Sequence, residues 1–277
     1  MGMSFGILLL ALGIIIAAGL LLAVRGTHVS TRDVAWLAGT SDSSTAQADV
    51  YSRYLQRHRV HRLVGGVLGT LFAIIVGTRW YSTVSFGVGT NSPLADMLFC
   101  GLGGVLVGAF SAETFRLSEP PSATVSASLT QHAGVARPRL IRAARVISLG
   151  ALVGSALVAA TGNGLAPLWI AIGGLVVALV AEATQSAITG RRRPVLSDEA
   201  QVVDLRMRSF ASTSIARLQL AVAVLTATWT LSQVPGDDDG PLVLVQTLAV
   251  IAGFVITVVL LHRASPHPPR KWIADPS

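Results

Sequence analysis

The chain has 277 residues, of which 52% are hydrophobic and only 13% charged, with a formal net charge of +7. Together with a mean hydropathy of +0.63, this composition sets it apart from soluble domains, whose surfaces need more charge. A basic balance that would point to nucleic acid in a soluble protein has a different meaning here, and no nucleic-acid partner is expected.

The apolar residues come in long blocks. Residues 5–24 contain no charge. This block has no basic lead, a core longer than the roughly 7–15 residues of a secretory signal, and no convincing cleavage site, so it is expected to be retained as a first span. Further blocks cover 63–81, 94–112, 146–161, 165–181, 218–234 and 241–261. Flanking residues complete the shorter blocks to the roughly 20 that a helix needs to cross about 30 Å of hydrocarbon. The expected fold is therefore all-α, a polytopic bundle of about seven transmembrane helices forming a single integral membrane domain.

Its segments are a first span (1–24), a cytoplasmic segment (25–62), hairpin 1 (63–115), a loop (116–145), hairpin 2 (146–189), a loop (190–213), hairpin 3 (214–262) and a tail (263–277). Charge fixes the expected orientation. Of the 21 Lys and Arg residues, all but Arg79 fall in 25–62, 116–145, 191–217 or 263–277. Cytoplasmic loops carry the Lys/Arg excess, so the N-terminus is placed outside and the C-terminus inside a plasma (inner) membrane. Arginines at helix ends then face an anionic leaflet. Asp237, Asp238 and Asp239 fall on the opposite side, in a Pro/Gly-flanked turn.

The three hairpins echo one another. Gly103-Gly104 leads to Glu113, and Gly173-Gly174 leads to Glu182, about 70 residues later. Each copy enters from the same side, as in duplication of a hairpin in parallel orientation. Gly65/Gly69, Gly104/Gly108, Gly150/Gly154 and Gly174/Ala178 follow the small-xxx-small spacing that lets helices approach closely. Residues 43–62, and the stretch opened by Ser197-Asp198-Glu199, read as amphipathic lead-in helices that lie at the interface or extend the spans, and that could dock a cytoplasmic partner.

Charges at membrane depth are the first place to look for function. Arg79 and Asp96 fall at the outer ends of neighbouring spans, where snorkelling beside Trp80 and Tyr81 is favoured over pairing across the hairpin. Glu113 and Glu182 occupy equivalent inner positions. They either pin the bundle by accepting from arginines such as Arg116, Arg145 or Arg217, or carry protons or cations. Nearby arginines, and the lack of a polar stripe leading outward, favour pinning. Arg57, His58, Arg59, His61 and Arg62, with Arg191, Arg192 and Arg193, are expected to contact phosphate-bearing lipid headgroups. His58 and His61 are one turn apart, but the surrounding arginines oppose a metal ion, and no metal or other cofactor is expected. Cys100, the single cysteine, cannot form an intrachain disulfide.

No phosphate-binding loop and no GxSxG or HExxH pattern occurs. The Ala/Val/Arg-rich, lysine-poor composition and this layout resemble uncharacterised multi-pass inner-membrane proteins of actinobacterial, high-GC type. That resemblance implies plasma-membrane residence and assigns no activity. The expected function is non-enzymatic: a membrane subunit, scaffold or regulator acting through its basic face on lipid or on a cytoplasmic or membrane protein partner. The alternative is a small-molecule or ion transporter or permease component. It requires a polar mid-depth cavity lined by residues such as Gln219, Thr226, Thr228, Gln246, Thr247 and Thr257.

Overall fold

A computed structural model describes residues 27–40, 44–80, 93–117, 138–161, 165–190, 198–232, 234 and 241–268. The proposed first span, the Asp237–Asp239 turn and Arg191–Arg193 lie outside the described residues. Seven helices and no strands are present among those described: α1 (Thr31–Ala38), α2 (Thr45–Trp80), α3 (Pro93–Leu117), α4 (Pro138–Ala160), α5 (Ala166–Gly190), α6 (Asp198–Ser232) and α7 (Pro241–Arg263). The seven are not the seven expected spans, because α1 is a short helix in the first basic segment.

Local chemistry explains α1. The Ser30 hydroxyl accepts from the Asp33 N–H, and the Asp33 carboxylate accepts from the Ser30 N–H at 2.8 Å, a reciprocal capping box. Gly39 ends the helix in the left-handed region, φ 69°, and donates its N–H to the Ala35 carbonyl.

Four helices carry stretches long and apolar enough to cross a membrane: Pro138–Ala160, Pro167–Thr189, Val202–Ser232 and Leu244–Arg263. A shorter apolar stretch, Cys100–Glu113, lies within α3. Large apolar side chains stand exposed at helical spacing, as with Val146, Leu149, Val153 and Leu157 on α4, or Leu244, Leu248, Ile251 and Val255 on α7. Water would oppose such continuous stripes, and hydrocarbon accepts them. The chain is thus built as a membrane protein.

Consecutive helices pack pairwise, α2 on α3, α4 on α5 and α6 on α7. α6 is the central element: two-thirds of its apolar stretch is buried, and it touches α3, α4, α5 and α7. Ala211, Ile215, Leu218, Ala221, Val222 and Leu225 of α6 meet Leu106 and Phe110 of α3 and Ala181 and Ile188 of α5 in the main core. At 1.5 Å per residue, α2 and α6 are each about 50 Å long, well beyond the hydrocarbon thickness. Both lead-in stretches are continuous with their spans. Their overhangs join α1 around a second core of Val34, Leu37, Tyr51, Tyr54, Leu55 and Met207. This cap sits at the end of the bundle that carries the arginines, called here the basic pole.

The glycine pairs behave unequally. Gly65 and Gly69 of α2 press against Gly104 and Cys100 of α3, and Gly108 against His61. Gly174 instead receives Thr226 of α6, and Gly253 receives Thr228. Gly150 faces open space and Gly154 makes only ordinary contact, so the spacing on α4 marks no close crossing. Within the repeat, Gly103 and Gly173 both face open space while Gly104 and Gly174 both receive a neighbour. The neighbour differs: α2 of the same hairpin in one case, α6 of the next in the other.

Candidate functional site

The run Arg57 to Arg62 shows how the basic pole is built. At about 100° per residue, positions 58, 62 and 59 fall within one sector of about 100°, while 57 and 61 fall together outside it. The structure divides them that way. His58, Arg59 and Arg62 are buried, which corrects the expectation that the whole run contacts lipid headgroups. Arg57 and His61 stay partly exposed; Arg57 lies 5.8 Å from the Tyr54 ring centroid, and His61 Nδ1 is 3.1 Å from Ser111 Oγ.

The buried side chains meet protein groups. The Tyr54 hydroxyl donates to Glu113 Oε1 at 2.8 Å, and His58 Nε2 lies 3.0 Å from the same oxygen, too poorly aligned to count as a hydrogen bond. Arg62 donates from Nη2 to Ser214 Oγ at 3.2 Å and to the Ala264 carbonyl at 2.6 Å. The Ser214 hydroxyl donates to that carbonyl as well, at 2.9 Å. Arg59 Nη2 is 2.9 Å from Asp33 Oδ2 and donates to the Pro266 carbonyl at 3.0 Å; its Nη1 donates to the His28 carbonyl. Two arginines of α2 therefore tie together the segment before α1, α1 itself, α6 and the segment after α7. Arg62 Nε and Nη1 and His58 Nδ1 are buried without a hydrogen-bond partner among the described residues. Glu113 supplies the charge opposing Arg62.

Glu182 is held differently. Arg145 Nε and Nη2 donate to its two oxygens at 2.7 and 2.8 Å, a fork that fits a carboxylate. Gln219 Nε2 adds a third bond at 2.9 Å. This ties α4, α5 and α6 together at a partly exposed position. In both helix pairs the glutamate of the returning helix bonds the first part of the outgoing one. The Arg79 and Asp96 side chains lie outside the described residues.

Above these charges is a cleft of about 720 Å³ between α1, α6 and residues 262–268. Its α6 wall is one helical stripe: Arg206, Ser209, Phe210, Thr213, Ser214 and Arg217. Trp36 and Leu37 face it from α1, with His262, Arg263, Ser265, His267 and Pro268 on the far side. No carboxylate occurs among these lining residues. Arg206 lies against Gly39, and Arg217 donates to the Arg263 carbonyl.

Sequence reasoning did not single out Asp33, Ser214, Arg206 or Arg263, and it offered Arg217 as a partner for a glutamate, where the structure has it on the Arg263 carbonyl. The Ser30-x-x-Asp33 box before Val34, Trp36 and Leu37 was the readable signal for α1. Nothing in sequence pairs Arg62 with a carbonyl 202 residues away.

Burial alone would raise the Asp33 carboxyl, but the Ser30 N–H and hydroxyl and the Arg59 guanidinium outweigh it, and it is held below the usual carboxylate range. Asp33 thus stabilises the docked cap fully above about pH 4, and this contribution is lost as pH falls through the lower folded-state value. Partial burial, followed by the Arg59 charge, holds His267 below its ordinary value, with Asp33 opposing. A depressed histidine disfavours the docked state once the undocked form protonates, from about pH 6.5 downward. Acid is therefore expected to loosen the cap in two steps. Trp36 emission, read with the other tryptophans replaced by phenylalanine, should report both; His267→Gln should remove the first and Asp33→Asn the second. A single step, unchanged in both variants, would refute this assignment.

No protein-family model, curated protein or solved structure matches the chain.

Proposed function

We propose that the protein is a seven-span bacterial plasma-membrane protein, N-terminus outside and C-terminus in the cytoplasm, that acts by assembly as a membrane subunit, scaffold or regulator. The observation that carries this reading is the folded cap at the basic pole. Four chain segments converge there on Arg59 and Arg62, and a second apolar core supports them. Linkers that only connect spans need no such core. The basic residues around the cap suit an anionic cytoplasmic leaflet, and its surface suits a cytoplasmic or membrane protein partner.

Five of the six polar side chains that a transport path would use are engaged in packing. Thr228 and Thr257 hydroxyls donate to carbonyls one turn back on their own helices, of Val224 and Gly253. Thr226 fills the notch at Gly174, Gln219 bonds Glu182, and Gln246 bonds the Leu231 and Val234 carbonyls. This favours assembly over permeation.

Affinity purification in mild detergent tests the reading: a stoichiometric partner is expected, and solute flux by the isolated protein in liposomes would replace assembly with transport. Orientation is tested with Asp238→Cys and Arg192→Cys in a Cys100→Ser background. An impermeant thiol reagent applied to intact cells should label position 238 and spare position 192. The reverse pattern would overturn the topology.

A further inference from the structure

We propose that the cleft at the basic pole is a binding site for a phosphate group, presented by a membrane lipid headgroup or by a soluble phosphate. The lipid source rests on the reading that this pole faces an anionic leaflet.

Charge is the first argument. Arg206, Arg217 and Arg263 face one cleft with no carboxylate among its described lining residues. Like charges lining one walled space leave a positive potential there, and an anion relieves it while accepting paired N–H donors. Arg59 and Arg62 hold Asp33, Ser214 and backbone carbonyls and do not line the cleft.

The end of α7 is the main objection, since helix C-terminal carbonyls repel anions. Here those carbonyls are already satisfied. His262 O accepts from the Ser265 N–H at 3.1 Å and hydroxyl at 2.6 Å, Arg263 O from Arg217, and Ala264 O from Arg62 and Ser214. The negative end is thus neutralised, and the exposed Arg263 side chain sits in the last turn.

Geometry places the phosphate. Arg206 and Arg217 are eleven residues apart on α6, about 16 Å at 1.5 Å per residue, so one phosphate cannot bridge them. Arg217 and Arg263 are neighbours through their hydrogen bond, and the phosphate belongs at that end. Arg217 immediately precedes the apolar run 218–234 and Arg263 follows 241–261, which on the proposed topology puts both at headgroup level. Phe210 and Trp36, packed edge to face at 5.6 Å, wall the middle of the cleft. They suit the less polar remainder of the ligand, with Arg206 reading its far end. A volume of about 720 Å³ accommodates a headgroup or a small phosphate ester.

The test titrates short-chain phosphatidic acid, and separately inorganic phosphate, onto the full-length protein in detergent at fixed ionic strength, with native mass spectrometry and thermal unfolding as readouts. Arg206→Gln with Arg263→Gln removes two exposed guanidiniums. Arg139→Gln with Arg142→Gln makes the same charge change on the exposed start of α4. The cleft pair is expected to weaken binding about tenfold or more, the scale of one lost charge-assisted contact, while the α4 pair leaves it unchanged. Saturation by phosphatidic acid alone identifies the lipid source; saturation by inorganic phosphate as well identifies the soluble one. Equal loss in both pairs, no loss in the cleft pair, or no binding of either probe to the wild type overturns the proposal. Partner recovery and thiol labelling involve neither probe, so failure of the site is distinguishable from failure of the assembly reading.

Discussion

Gly104→Val is expected to abolish the stable bundle or lower its melting temperature severely, whereas Gly103→Val, one position away, leaves it unchanged. A Cβ at Gly104 would stand 2.1 Å from the Gly65 carbonyl oxygen, and one at Gly65 would stand 2.1 Å from the Gly104 oxygen. The same closeness recurs at Gly69 against Cys100 and at Gly108 against His61. Carbon–oxygen contacts settle near 3.3–3.6 Å, so α2 and α3 must move apart by more than 1 Å to admit any side chain. Backbone atoms cannot swing aside as a side chain can. Overpacking of this kind costs about 3 kcal/mol or more, and separating the helices also breaks the Tyr54–Glu113 hydrogen bond. Gly103 has nothing within 4 Å of its added Cβ, which makes it an internal control for helix propensity and insertion. Thermal unfolding followed by size-exclusion chromatography reads both variants; equal melting temperatures would show that the two helices do not cross as described.

Glu113→Ala carries the second largest expected effect, about 3–5 kcal/mol, because it leaves the buried Arg62 and His58 beside an uncompensated hole. Glu182→Ala should cost less, about 1–3 kcal/mol, since the exposed Arg145 can turn to the interface and only the buried Gln219 amide loses its partner. The repeat makes these two glutamates look alike, and their surroundings make them unequal. Pairing Glu113→Gln with Arg62→Met removes charge and countercharge together. The double variant should be more stable than the sum of the two single losses predicts. Additive losses would show that Glu113 and Arg62 do not interact.

What could be read from sequence follows from how far each interaction reaches along the chain. Apolar stretches on α4 to α7 are local and were legible, as was the pairing of consecutive helices. Arg145 is one of three arginines, with Arg116 and Arg217, that the sequence offers as partners for the two glutamates, and it is the one that lies on Glu182. Gly150/Gly154 misled because small-residue spacing describes one helix and says nothing about whether another faces it. The arginine run at 57–62 looks like one surface in sequence, although helical rotation splits it into buried and partly exposed sides. The cleft was out of reach. Arg206 and Arg263 look like topology markers, and Arg217 like a partner for a glutamate, until α1 and the segment after α7 fold across α6.

The Arg62 bond to the Ala264 carbonyl also sets a timetable. The arginine is made 202 residues before its acceptor. At roughly 5–20 residues per second, this charge waits about 10–40 s for the carbonyl to be synthesised. Through that interval the cap lacks its last strut, and a chain cut short before position 264 never acquires it. Closure of the basic pole therefore waits until α7 and the segment that follows it have been synthesised.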